Sequence, residues 1–136
     1  MEASALAKRY VLEDGSAPVR RVLRTGPIAT SRLSEVEIVS ALARRQREGA
    51  LTTAERDRAI RTLNDDLAAW VIVELTQELA RDSQTLITRH ALRAGDAIQL
   101  ASCLWFQRES GQRIQFGVFD ERLANAARAE RLSLLF

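Results

Sequence analysis

With 136 residues, 46% of them hydrophobic and 28% charged, the chain has the size and balance of a single globular domain covering residues 1–136. No apolar run approaches the length of a bilayer crossing, and MEASALAKRY has no basic head followed by an apolar centre, so the expected location is the cytoplasm. A single cysteine, Cys103, and a single histidine, His90, exclude an internal disulfide and a Cys/His zinc site, and a net charge of +2 argues only weakly for a polyanionic partner.

Helix and strand signals alternate along the chain. Ser4 is placed to cap a first helix reaching Val11 or Leu12 and stopping before Gly15. Ser16, with Pro18 just inside, opens a second that ends at Gly26. PIAT (27–30) has strand character, and Ser31 opens a third helix ending near Gly49. Thr52 with Glu55 three residues on forms a capping box for a fourth helix to about Leu67. The strand run WVIVEL (70–75) precedes a fifth helix starting at Thr76, with His90 in the loop beyond it. An apolar helix then runs from about Ala94 to Ser110 and stops at Gly111. IQFGVF (114–119) is a third strand run, Glu121 to about Arg131 the last helix, and SLLF (133–136) the last strand run. Strand runs of four to six residues separated by helices imply an α/β fold with a short parallel sheet.

The positive charge is carried almost entirely by arginine. Lys8 is the only lysine among 20 basic residues, and RRVLR (20–24), RRQRE (44–48) and RDRAIR (56–61) concentrate arginines on short helical arcs. Arginine grips phosphate in a planar, two-pronged way, so a nucleic-acid footprint competes evenly with a plain solvated face.

One acid stands out in the apolar helix. Ala97, Ile98, Leu100, Ala101, Cys103, Leu104, Trp105 and Phe106 surround most of that helix with carbon. Asp96 begins a thin polar stripe, D-x-x-Q-x-x-S, continued by Gln99 and Ser102. An unpaired buried charge would neutralise or cost several kcal/mol (order of magnitude), so the stripe is expected to face something wet. Asp120 follows a strand run directly, at the carboxyl end where open parallel sheets bind ligands. Taken singly, Glu2, Asp96 and Asp120 each read equally well as helix-cap or first-turn acids, and helical periodicity does not choose between Glu35 and Glu37.

Four stretches change that balance. EASALAKRYVLEDGS (2–16), SRLSEVEIVSALARR (31–45), LRAGDAIQLAS (92–102) and FGVFDERLANAA (116–127), in this order and spacing, resemble the PIN-domain ribonucleases, specifically the VapC toxins of type II toxin–antitoxin systems. The resemblance covers essentially the whole chain. It implies a three-layer sandwich with a short central parallel sheet between helices, and an acid cluster at the sheet's carboxyl edge holding Mg²⁺ or Mn²⁺. It also implies RNA as substrate, a VapB-like antitoxin as partner and a homodimer. Matched motif by motif, S-x-L-x-x-x-E marks Glu37, LRAGDA marks Asp96 and the strand-end FD marks Asp120 as catalytic and metal-binding acids. Glu2 takes the remaining metal position, with Ser4 and Gln99 as possible supports.

The first motif departs from the family pattern of a strand followed by D-x-S-A-L. Glu2 is one methylene longer than aspartate and only Met1 precedes it, so the first strand of the sheet is truncated in this sequence. The expectation is either a start further upstream or a shortened relative, with a 136-residue chain that is poorly soluble or dependent on a partner. Changing Glu2 to Asp in a longer chain is expected to raise activity, because a misplacement of about an ångström costs on the order of a hundredfold.

The implied chemistry is physically coherent. Clustered carboxylates repel one another, and a hard divalent ion relieves that repulsion while acidifying water for phosphodiester hydrolysis, without a histidine base or cysteine nucleophile. Two other classes compete: a catalytically impaired PIN-like module that binds RNA or protein, and a small-molecule phosphatase. The phosphatase is disfavoured, since no strand end carries an aspartate followed two residues later by a second.

Overall fold

Side-chain caps at the helix ends fix much of the architecture, which a computed structural model describes for residues 1–136. Seven helices, α1 (Ala3–Ala7), α2 (Ser16–Thr25), α3 (Leu33–Arg47), α4 (Thr53–Ala69), α5 (Gln77–His90), α6 (Ala94–Ser110) and α7 (Glu121–Ala129), alternate with four short strands. The strands are β1 (Ala29–Ser31), β2 (Val71–Val73), β3 (Gln115–Phe116) and β4 (Ser133–Leu134). The Thr52/Glu55 capping box is formed at α4, the Thr76 side chain accepts the Leu79 N–H at α5, and Gly111 ends α6 in the left-handed conformation at φ 65°. Each of these satisfies backbone groups that a helix end leaves without partners.

Four expectations are corrected. The first helix is capped by Glu2, not Ser4, and ends at Ala7 before a series of turns. Glu2 wins because its carboxylate reaches back to the Ser4 and Ala5 N–H groups, both at 2.8 Å. Ser31 lies in β1 instead of opening α3, although its Oγ accepts the Leu33 N–H at 3.3 Å. The strands have two or three residues where four to six were expected, because a ladder ends where its partner ends. His90 is the last residue of α5, not a loop residue, and its ring meets Glu130 at 2.7 Å.

All strand pairing is parallel. Ala29, Thr30 and Ser31 pair with Val71, Ile72 and Val73, while Gln115 and Phe116 pair with Ser133 and Leu134. The two pairs are not hydrogen-bonded to each other. Met1 and Glu2 bridge them: the Met1 ammonium donates to Ala29 O at 2.7 Å and the Glu2 N–H to Gly117 O at 3.1 Å.

The hydrophobic core falls into two parts. One joins Val73, Leu79, Leu86, Leu100, Phe116 and Leu123 from α5–α7 and their strands; the other joins Leu6, Ile28, Ile38, Leu42 and Leu63 from α1, α3, α4 and the approach to β1. Burying such side chains contributes roughly 1.5–3 kcal/mol each before chain entropy is charged against it. Arg9 and Tyr10 tie the turn after α1 to α4, both binding Asp66, the tyrosine hydroxyl at 2.7 Å. No helix is long and apolar enough to cross a membrane.

Candidate active site

Glu37 is the centre of the carboxylate group. It is half-buried on α3, and Gln99 Nε2 donates to its Oε2 at 2.7 Å. Gln99 is itself held by Ser34 Oγ at 2.9 Å, and Ser34 Oγ lies 2.7 Å from Thr30 Oγ1. A buried polar chain from β1 through α3 and α6 therefore orients Glu37. Burial pushes the Glu37 carboxyl above its ordinary range, and the charges of Glu2 and Asp96 push the same way against the lowering effect of the Gln99 hydrogen bond.

The approach of Glu37 to α6 depends on a missing side chain. A Cβ on Gly95 would stand 2.6 Å from Glu37 Oε1. Asp96, next in sequence, occupies the first turn of α6, where the helix dipole favours a carboxylate. Arg122 Nη2, from the first turn of α7, lies 3.3 Å from Asp96 Oδ2. That contact joins the start of α6 to the end of the helix that Asp120 caps. Asp120 is exposed and accepts the Leu123 N–H at 2.8 Å.

Glu2 is buried, and its carboxylate accepts hydrogen bonds from two backbone N–H groups and the Ser4 hydroxyl. Ser4 thus braces Glu2, and Gln99 braces Glu37. The acids come from four separated stretches, yet no three acidic side chains stand in a group able to hold an ion as they are. Glu2 and Asp96 are near enough to act on the Glu37 charge, whereas Asp120 is engaged at the cap of α7.

The expectation that the polar stripe of α6 faces something wet is corrected. Gln99 and Ser102 are buried, and Ser102 Oγ donates to Ile98 O at 2.7 Å. Only Asp96, at the end of the stripe, is partly exposed; Leu104, Trp105 and Phe106 are half-buried. The polar side chains turn inward because Gln99 finds Ser34 and Glu37 on α3 and Ser102 finds its own helix backbone, which leaves no buried side-chain donor or acceptor unpartnered. Ser34, Thr30, Gly95 and Arg122 were not singled out from sequence. Ser34, Gly95 and Arg122 fall inside the quoted motifs, yet nothing local marks the pairing of Arg122 across 26 positions.

The chain matches the PIN domain family model over residues 3–129. It belongs to the PIN domain family. Among its relatives are ribonuclease VapC45 of Mycobacterium tuberculosis strain CDC 1551 / Oshkosh and ribonuclease VapC49 of strain ATCC 25618 / H37Rv. Each is 36% identical over 130 residues, covering 94% of this chain and 88% of the relative. Family membership and the geometry agree on the fold: an α/β PIN domain with helices packed around a small parallel sheet.

The donor set of this PIN domain suits a hard divalent cation. All the candidate ligands are carboxylate oxygens, and the repulsion that raises Glu37 is the kind a cation relieves. No cysteine or histidine lies among them to favour a softer metal.

Proposed function

We propose that this chain is a toxin ribonuclease of a type II toxin–antitoxin system, hydrolysing RNA phosphodiester bonds at an acidic site that takes Mg²⁺ or Mn²⁺. The observation that carries the reading is Glu37, half-buried within range of two further carboxylates, in a PIN domain similar to two ribonucleases. Glu2, Glu37, Asp96 and Asp120 would hold the ion, with water completing its shell. When bound, the ion supplies an acidified water and neutralises charge on the reacting phosphate.

The chain's own residues do the positioning. Gln99 fixes the Glu37 carboxylate, and Ser4 with two backbone N–H groups fixes Glu2. Arg122, beside Asp96 and exposed, is a cation placed to meet a substrate phosphate. The proposal includes a VapB-type antitoxin, a homodimer and a cytoplasmic setting. Their support is the family resemblance and the VapC names of the relatives.

A second reading has its own observation. The Glu2 carboxylate is taken up in capping α1, and no three acids are grouped to hold an ion, as in a PIN domain kept for binding RNA or protein. One experiment separates them: cleavage of RNA by the wild-type chain and by Asp96→Asn, with Mg²⁺ or Mn²⁺ and with chelator. The ribonuclease reading expects cleavage only by wild type with the ion, and at least a hundredfold loss in the variant. The variant should stay folded, since its exposed pair with Arg122 contributes at most about 1 kcal/mol. RNA binding without cleavage by either protein would favour the binding module, and equal cleavage by both would indicate a contaminant.

A further inference from the structure

An open cleft of about 420 Å³ lies along one face of α7, lined by Arg122, Asn125 and Ala126, with His90 from the end of α5 completing the lining. Residues 122, 125 and 126 share that face by their spacing of three and four. Two bridges flank the cleft. Arg122 Nη2 donates to Asp96 Oδ2 at 3.3 Å, and Glu130 accepts from Arg89 Nη1 at 2.8 Å and from His90 Nε2 at 2.7 Å. From Arg122 to Glu130 the helix rises about 12 Å, so the cleft leads outward from Asp96 with room for a nucleotide.

The fold leaves polar groups of this lining unused. Arg122 is exposed and makes that one bond, so its other N–H groups have no protein partner. Asn125 Oδ1 accepts from Arg128 Nη1 at 2.7 Å, which leaves the amide N–H groups of Asn125 without one. Glu130, held below its ordinary range by the His90 bond and then by Arg89, is a carboxylate and only accepts. His90 Nε2 therefore carries the shared proton, and Nδ1 of the neutral ring is an acceptor. Nδ1 has no protein partner, and since no unpartnered side-chain nitrogen is buried, it is open to solvent.

We propose that this cleft is a ribose-phosphate subsite for the RNA nucleotide next to the one at the acids, with Arg122 and Asn125 donating to its phosphate and His90 Nδ1 accepting from its 2′-hydroxyl. Phosphate oxygens accept and a 2′-hydroxyl donates, so two free donors beside one fixed acceptor match this part of an RNA strand. An acidic peptide fits less well, because its carboxylates would meet Arg122 but offer no donor to Nδ1. The inference rests on the ribonuclease reading for its ligand, and adds how the chain tells RNA from DNA.

The test is binding of a short fluorescent single strand, in all-ribose and all-2′-deoxy forms, read by anisotropy with Mg²⁺ present. The parent is Glu37→Gln, which the ribonuclease reading expects not to cut, and His90→Phe, Arg122→Gln or Arg108→Gln is added to it. Arg108 is also exposed but lies in the last turn of α6, at the far end from Asp96. The parent is expected to prefer ribose, and His90→Phe to shrink that preference about three- to tenfold by weakening the ribose strand alone. Arg122→Gln is expected to weaken both strands about tenfold and to flatten the slope of log affinity against log salt by about 0.7, with no change of slope in Arg108→Gln. An unchanged ribose preference in His90→Phe, or equal slopes in the two arginine variants, would overturn the proposal. A parent that binds neither strand but holds a polyglutamate peptide would overturn it in favour of a protein partner. Should His90→Phe fail to fold, His90→Lys keeps a donor for Glu130 and has no acceptor: a lost ribose preference supports the proposal, and a retained one overturns it. Cleavage by the wild-type chain is scored separately. A chain that cuts RNA while its cleft variants bind like the parent keeps the ribonuclease reading and loses this subsite.

Discussion

At Gly95 the backbone of α6 passes so close to Glu37 that the position admits no side chain without moving the carboxylate, since a Cβ would stand 2.6 Å from Oε1. The atom in the way is the far end of a flexible side chain, so the clash is relieved by swinging Glu37 aside, and the backbone need not move. Alanine also favours a helix over glycine by about 1 kcal/mol. Gly95→Ala is therefore expected to leave the thermal midpoint unchanged or slightly raised while lowering RNA cleavage at least tenfold, a split read by calorimetry and a cleavage assay on one sample. A fall in both together would mean that the substitution disturbs α6 itself. Gly95 was visible in sequence only as part of a motif. Its physical role depends on where α3 crosses α6, which no local pattern encodes.

The α5 and α7 helices are joined at their carboxyl ends by charge. Arg89 and His90 both reach Glu130, at 2.8 and 2.7 Å, and the His90 hydrogen bond, with Arg89 second, holds the Glu130 carboxyl below its ordinary value of 4.5. A depressed carboxyl contributes stability above its unfolded pKa, and that contribution disappears as pH falls through the folded value. The wild-type chain should therefore lose stability as pH drops from about 4.5 into the range below, and Glu130→Gln should show a shallower loss there with a lower midpoint at pH 7. Thermal melts of both proteins from pH 7 to 3 check this, and parallel curves would show that the cluster contributes nothing. At this scale the caps were the legible part. The Thr52/Glu55 box, the Thr76 cap and the Gly111 stop are local devices, and the structure has all three. The strand lengths, the end of α1 and the inward turn of Gln99 and Ser102 are set by distant partners, and there the expectations failed.

Across the whole molecule, the acids draw from both halves of the core. Glu2 and Glu37 sit on α1 and α3 with the smaller cluster, while Asp96 and Asp120 sit on α6 and α7 with the larger. The two strand pairs share no direct ladder, and a polar link from Thr30 through Ser34 to Gln99 runs between α3 and α6. A cation held by acids from both halves would bind only when they are docked, so its binding energy adds to folding. Raising Mg²⁺ or Mn²⁺ to about a hundred times its dissociation constant should stabilise the fold by about 2.7 kcal/mol, several degrees in the thermal midpoint of a domain this size. Hydrogen exchange in α3 and α6 should slow together. Glu37→Gln removes one charge from the cluster and should lie above wild type without the ion, because burial and two like charges raise this carboxyl, yet gain little when the ion is added. A wild-type midpoint indifferent to both ions would remove the metal from the proposed function, and a variant that still gains the full shift would place the ion away from Glu37.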